Sequence, residues 1–211
     1  MKNIINQNIQ KYYVNSYEDG VLQIEIANYE TDTGIILVPG NPHYGGNMDN
    51  FVIKNLFIFF NSKKISCGRF SFIPNSDEQY LAQLSIAVDT LLNKTNCKKI
   101  IIIGYSMGCS YSLNLFLRIK EIETFILISP TLLRDKYTNF LIPYPSQGLM
   151  ITSKYDENIL GNLETYGYLL SHQYQINTDI KYINCTGYTY NEPGAFDELS
   201  QVVWDYISKF I

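Results

Sequence analysis

The segment Lys99–Gly104, KIIIIG, constrains this chain more than any other. Its run of β-branched apolar residues points to both sides of an extended backbone, so both faces must be covered. A strand of that kind belongs at the centre of a parallel sheet, and parallel neighbours need long crossovers, usually helices. The rest of the chain supplies that alternation. Val21–Ala27 (VLQIEIA) alternates apolar and polar residues and reads as a half-buried strand. Residues 11–17 (KYYVNSY) are its expected hairpin partner across Glu18-Asp19-Gly20. Further strands are expected at Gly34–Val38, Ile65–Phe72, Glu123–Ser129, Gly148–Ser153 and Ile180–Cys185. Helices are expected at Phe51–Phe60, Asp77–Asn93, Met107–Ile119, Leu160–Ser171 and Glu198–Phe210. Asp49 or Asn50 can cap the first of these helices. The pattern specifies an α/β fold: a three-layer α/β/α sandwich around a mostly parallel sheet, with an N-terminal antiparallel hairpin.

The chain has 211 residues, a soft match to a single domain spanning 1–211. Its one irregular connection, Pro130–Gln147, suits a short lid or rim segment over residues 130–147. With 46% hydrophobic residues and 17% charged ones, the composition is that of a folded chain. The net charge of −4 supplies no basic footprint, so nucleic acid is not an expected partner. No apolar run approaches the roughly 18 residues of a membrane span, and MKNIINQNIQKYY has no signal-peptide pattern. Cys67, Cys97, Cys109 and Cys185 lack metal-binding spacing and read as reduced core thiols, which implies a cytoplasmic location with no metal and no cofactor. Only two histidines, His43 and His172, are present, and they bound every mechanism that needs an imidazole.

Directly after the isoleucine strand comes Gly104-Tyr105-Ser106-Met107-Gly108, a match to G-x-S-x-G, and a helix follows at once. A bare match is weak. The strand–turn–helix setting is what a nucleophile elbow requires. There the serine sits in a strained turn that lifts its hydroxyl above the sheet, and the glycines let strand and helix approach closely. The helix N-terminus aims backbone N–H groups at developing negative charge. The plain alternative is an ordinary Gly-Ser turn.

Upstream, Pro39-Gly40-Asn41-Pro42-His43-Tyr44-Gly45-Gly46-Asn47-Met48-Asp49-Asn50 follows the third strand, where an oxyanion loop is expected. The stretch resembles the H-P-H-P-x-x-G-G-x-M-D-N segment of small, lidless α/β-hydrolases related to the dienelactone-hydrolase and prolyl-oligopeptidase-like groups. The resemblance covers roughly residues 33–211 and includes the strand around Arg69–Phe72 and the elbow. It implies that Ser106 is the nucleophile and that backbone N–H groups of Met107 and Asn41 hold the oxyanion, since Pro42 has none to give. It also implies that Asp156, or else Glu157, is the acid. A helix-initiating carboxylate is the plain alternative for Asp156.

The same resemblance implies a histidine three residues after a glycine beyond the last strand. Tyr190 stands there, three residues after Gly187, and no histidine occurs from Gln173 to Ile211. The H-P-H-P histidines are replaced by Pro39 and Asn41, and the arginine-glycine that often follows the next strand by Ile73-Pro74. His172 is expected at the opposite edge of the sheet from Ser106, out of hydrogen-bond reach. His43 lies on the correct edge as a candidate base, a substrate contact or a solvated loop residue. Tyr44, Tyr105 and Tyr190, with Met107, Leu132 and Tyr155, are the expected pocket walls. Two functions remain open. One is a serine hydrolase with an incomplete triad, acting on a small ester, thioester or amide. The other is a degenerate member that binds a small ligand or a protein without turnover. Either works as a monomer or homodimer.

Overall fold

The structure, a computed structural model, describes residues 8–16, 20–131, 146–156, 163–164, 167–168, 170–172 and 175–211. The expected turn at Glu18-Asp19, most of segment 130–147 with Leu132, the acid alternate Glu157, and much of Leu160–Ser171 lie outside the described residues.

Eight strands form one sheet in the order β1-β2-β4-β3-β5-β6-β7-β8. They are β1 (Ile9–Asn15), β2 (Val21–Ala27), β3 (Thr33–Val38), β4 (Cys67–Phe70), β5 (Lys99–Tyr105), β6 (Ile122–Ile128), β7 (Ser146–Ser153) and β8 (Ile176–Ile183). The β1–β2 and β2–β4 pairs are antiparallel, and every other pair is parallel. Helices α1 (Phe51–Ser62), α2 (Asp77–Lys94), α3 (Gly108–Phe116) and α4 (Ala195–Ile207) cover the sheet.

Strand β5 shows why the architecture holds. Ile100 and Ile102 join a core shared with α2 and α3, whereas Ile101 and Ile103 join the opposite core under α1 and α4. All four are fully buried, each contributing about 1.5–3 kcal/mol of burial. The α/β/α layering is thus set by this central strand. Among the two candidate caps for α1 the structure selects Asn50, whose side chain accepts the Val52 N–H at 3.0 Å.

Several element boundaries differ from the sequence reading, and two of the shifts have a local cause. The last strand runs Ile176–Ile183, not Ile180–Cys185. It is an edge strand with exposed polar positions, paired along its whole length with β7, and the weak apolar signal of INTD hides it. Helix α4 begins at Ala195, because left-handed Gly194 (φ 81°) precedes it.

Candidate active site

Ser106 sits where β5 ends and α3 begins, with φ 53°. A left-handed non-glycine residue there is a strained turn. Glycines on either side make the turn fit. A Cβ at Gly108 would overlap the carbonyl oxygens of Val38 and Pro39, and one at Gly104 would stand 2.6 Å from Ser112 Oγ. The Ser106 N–H donates to Ile128 O at 2.9 Å, which ties the elbow to β6.

The loop after β3 packs against this turn. A Cβ at Gly40 would come within 3.3 Å of Ser106 Cβ and 3.6 Å of its hydroxyl oxygen, so the Gly40 backbone borders the serine directly. A Cβ at Gly46 would overlap the Gly40 carbonyl, so the loop folds back on its own start. The N–H groups of Tyr44 and Gly46 donate to Asn41 O at 3.1 and 2.8 Å, and Asn41 Oδ1 accepts the His43 N–H at 2.9 Å. Neither the Met107 nor the Asn41 N–H donates to another described residue. Met107 follows Ser106 directly, and Asn41 follows Gly40, whose backbone borders the serine.

The Ser106 hydroxyl shares a 3.2 Å hydrogen bond with the Thr131 hydroxyl. Thr131 is bound to the elbow twice more: its N–H donates to Ser106 O at 3.3 Å, and its carbonyl accepts from Ser110 Oγ at 3.0 Å. Sequence reasoning missed Thr131. The available signal was its position just past the end of β6, on the edge where β5 delivers Ser106.

Asp156 follows β7 on the same edge and is buried, at 7% exposure. Two strand spacings separate β5 from β7, about 10 Å, and β6 lies between them. Tyr105 lies near Asp156, and burial pushes its phenol up, with the charges of Tyr188, Cys109 and Asp156 adding to the effect.

Neither imidazole bonds to Ser106. His43 is exposed on the loop after β3, and its ring makes no hydrogen bond to another described residue. His172 is exposed elsewhere: its ring stacks on Tyr168 at 3.8 Å and its Nδ1 pairs with Tyr168 O at 3.0 Å.

Tyr44, an expected pocket wall, is 89% exposed. Tyr105 and Tyr190, expected as pocket walls, are both buried rings. The Tyr105 hydroxyl donates to Tyr188 O at 3.0 Å from a buried ring. Tyr190 is 0% exposed, φ 52°, and its hydroxyl shares a 2.7 Å hydrogen bond with Ser129 Oγ. Ser129 directly follows β6, so the phenol reaches the end of the strand between those of Ser106 and Asp156. Each hydroxyl finds a polar partner within the core. Burial pushes the Tyr190 phenol far up, and the Ser129 bond offsets only part of that.

All four cysteines are free and buried. Among the described residues no group of three His, Cys, Asp or Glu side chains could hold a metal ion, and no helix is long and apolar enough to cross a membrane.

No family model matches the chain. An uncharacterised protein of Rickettsia prowazekii is 26% identical over 186 residues, which is 82% of this chain and 77% of that protein. A protein of unknown function from Agrobacterium tumefaciens, provisionally assigned to the α/β hydrolases, superposes with a TM-score of 0.79 at 24% identity over 95% of each chain. An α/β serine hydrolase without a lid from Xanthomonas campestris superposes with a TM-score of 0.76 at 16% identity, over 97% of this chain and 96% of that one. The shared architecture is the α/β-hydrolase fold.

Proposed function

We propose, with the α/β-hydrolase fold as the premise, that this protein is a serine hydrolase with an incomplete triad, acting on a small ester, thioester or related acyl compound. One observation carries the reading: Ser106 is held left-handed at φ 53° between a buried strand and a helix start, against the Gly40 backbone. A serine is strained in this way where its hydroxyl has to project.

In this reading Ser106 Oγ attacks the acyl carbonyl, and the Met107 and Asn41 N–H groups stabilise the oxyanion. The attacking hydroxyl gives its proton to His43, which approaches from the exposed loop, and the alcohol or thiol leaves with a proton. Water then hydrolyses the Ser106 ester by the reverse sequence. Asp156 supplies negative charge on the same edge. An imidazole that is not held in place makes turnover slow, on the order of 10⁴–10⁶ below a complete triad. The setting is cytoplasmic, which four free thiols support. The working unit is a monomer or homodimer, and its partner is a small molecule and not a nucleic acid, in keeping with the net charge of −4.

A second reading, ligand binding without turnover, is favoured by the Tyr190 phenol. In the pattern of the resembled hydrolases Tyr190 stands at the base position. A phenol ordinarily titrates near pH 10, and burial pushes this one higher, so it is no base at neutral pH.

A fluorophosphonate probe separates the two. The hydrolase reading expects labelling of the wild type that is lost in Ser106→Ala and at least tenfold slower in His43→Ala. A folded wild type that stays unlabelled at high probe concentration overturns turnover and leaves the binding reading.

A further inference from the structure

Outside the Ser106 site, a densely bonded polar cluster lies against the loop that borders it. Glu25 in β2 is a carboxylate at only 6% exposure. Sheet register sets it opposite Lys11 of β1 and opposite Arg69 of β4, so three charges form a row across the antiparallel part of the sheet. Lys11 Nζ lies 3.1 Å from Glu25 Oε1. Arg69 Nε and Nη2 both donate to Glu25 Oε2, at 2.9 and 2.6 Å.

The remaining guanidinium nitrogen faces the other way. Arg69 Nη1 donates to the Met48 carbonyl at 2.7 Å and lies 3.4 Å from Asp49 Oδ1. The guanidinium also stacks on Phe57, 4.8 Å from the ring centroid. The Met48 N–H in turn donates to Ser71 Oγ at 3.1 Å. The Met48 backbone is therefore clamped from both sides by β4 and the residue just beyond it. Two residues upstream, Gly46 presses on the Gly40–Asn41 peptide and bonds to Asn41 O at 2.8 Å. Hydrogen bonds run from Glu25 through Arg69 to Met48, the chain through Asn47 joins Met48 to Gly46, and Gly46 abuts the peptide beside Ser106.

Removing charges from water is costly unless every one is paired. Burial would push Glu25 up, yet the hydrogen bonds and charges of Arg69 and Lys11 outweigh it and hold the carboxyl below its usual range. A lysine at position 69 has no planar fork and could not serve Glu25 and Met48 together.

We propose that Arg69, oriented by Glu25, is a positioning residue that sets the Pro39–Asn50 loop so that the Asn41 N–H faces Ser106. The N-terminal hairpin then forms part of the site's machinery through Glu25. This inference rests on the reading of Asn41 as an oxyanion donor.

The test is hydrogen–deuterium exchange on the full chain, run with urea unfolding and fluorophosphonate labelling, for wild type, Arg69→Met, Arg69→Lys and Glu25→Gln. Arg69→Met is expected to speed exchange at least tenfold in peptides covering residues 40–48 and to leave residues 108–116 unchanged. Its labelling rate is expected to fall more than tenfold. Arg69→Lys keeps the charge without the fork and should fall between Arg69→Met and wild type, as should Glu25→Gln. The proposal is overturned when exchange at 40–48 does not change, or when it rises equally in every peptide along with a general loss of stability. Should Arg69→Met not fold, Arg69→Lys and Glu25→Gln carry the same comparison. An unlabelled wild type defeats the hydrolase reading, and the exchange comparison still decides this one. A labelled wild type with unchanged exchange defeats only the role of Arg69.

Discussion

Ser106 and Tyr190 have nearly the same backbone, φ 53° and 52°, and each follows a strand of the one sheet. Each carries a hydroxyl bonded to another hydroxyl at the end of β6 or just beyond it, Thr131 for Ser106 and Ser129 for Tyr190. The difference is solvent. Ser106 is half-buried and keeps some exposure to water, while Tyr190 and Ser129 are sealed. A left-handed non-glycine residue costs about 1–3 kcal/mol. At Tyr190 the burial of a ring and a satisfied hydroxyl offset that cost. At Ser106 no comparable burial does so. Strain by itself therefore marks no reactive group; strain on a residue that stays accessible and gains little packing does.

Breaking the Tyr190 side of the comparison has the largest expected effect. Tyr190→Ala empties a fully buried site and is expected to cost about 3–5 kcal/mol in urea unfolding. Next comes the loop against Ser106. Gly46→Ala places a methyl group on the Gly40 backbone, which cannot yield as a flexible side chain would, and is expected to cost about 2–3 kcal/mol. Removing only the hydroxyl is milder. Tyr190→Phe strands Ser129 Oγ and should cost about 1–2 kcal/mol, and adding Ser129→Ala should recover part of it, a non-additivity that a double-mutant cycle reads directly. On the other side, Ser106→Gly relieves the strain with little packing to lose and should raise stability by about 1 kcal/mol. An equal loss in Ser106→Gly would remove the contrast between the two residues.

The smallest effect is a pH dependence. The folded Tyr190 phenol titrates above its unfolded value, which is near 10. Its contribution to stability is complete below about pH 10 and is lost as pH rises further, because the unfolded chain gives up that proton first. Burial also pushes Tyr206 up, to about 12, and raises Tyr105, so these share the decline. Tyr190→Phe should remove part of the fall in urea midpoint between pH 9 and 11 and leave the midpoint flat near neutrality. Ser106 variants should leave that slope unchanged.

Much of the fold was legible because its signals are local. The KIIIIG strand, the glycines around Ser106 and the acidic start of α2 each act within a few residues, and the structure shows them in place. The edge strand β8 was read short because an exposed edge needs little apolar alternation. Of the candidate site, Ser106 and the loop that packs on it were legible as one motif after each of two strands. Thr131 was not, since its partnership depends on β6 ending beside β5. Nor was the clamp on Met48, because Glu25 and Arg69 are 44 positions apart and meet only through strand register.

By itself the sequence determined a central strand buried on both faces, a strained serine at its end, and a supply of only two histidines for the whole chain. Those are matters of composition and short-range sterics. Only the tertiary structure decided that neither imidazole bonds to Ser106 and that Tyr190 turns inward to Ser129, 61 positions away. The physical reason is that a side chain's partner is chosen by which strands lie side by side and by what is left to bond once water is excluded. Neither is encoded at the residue itself.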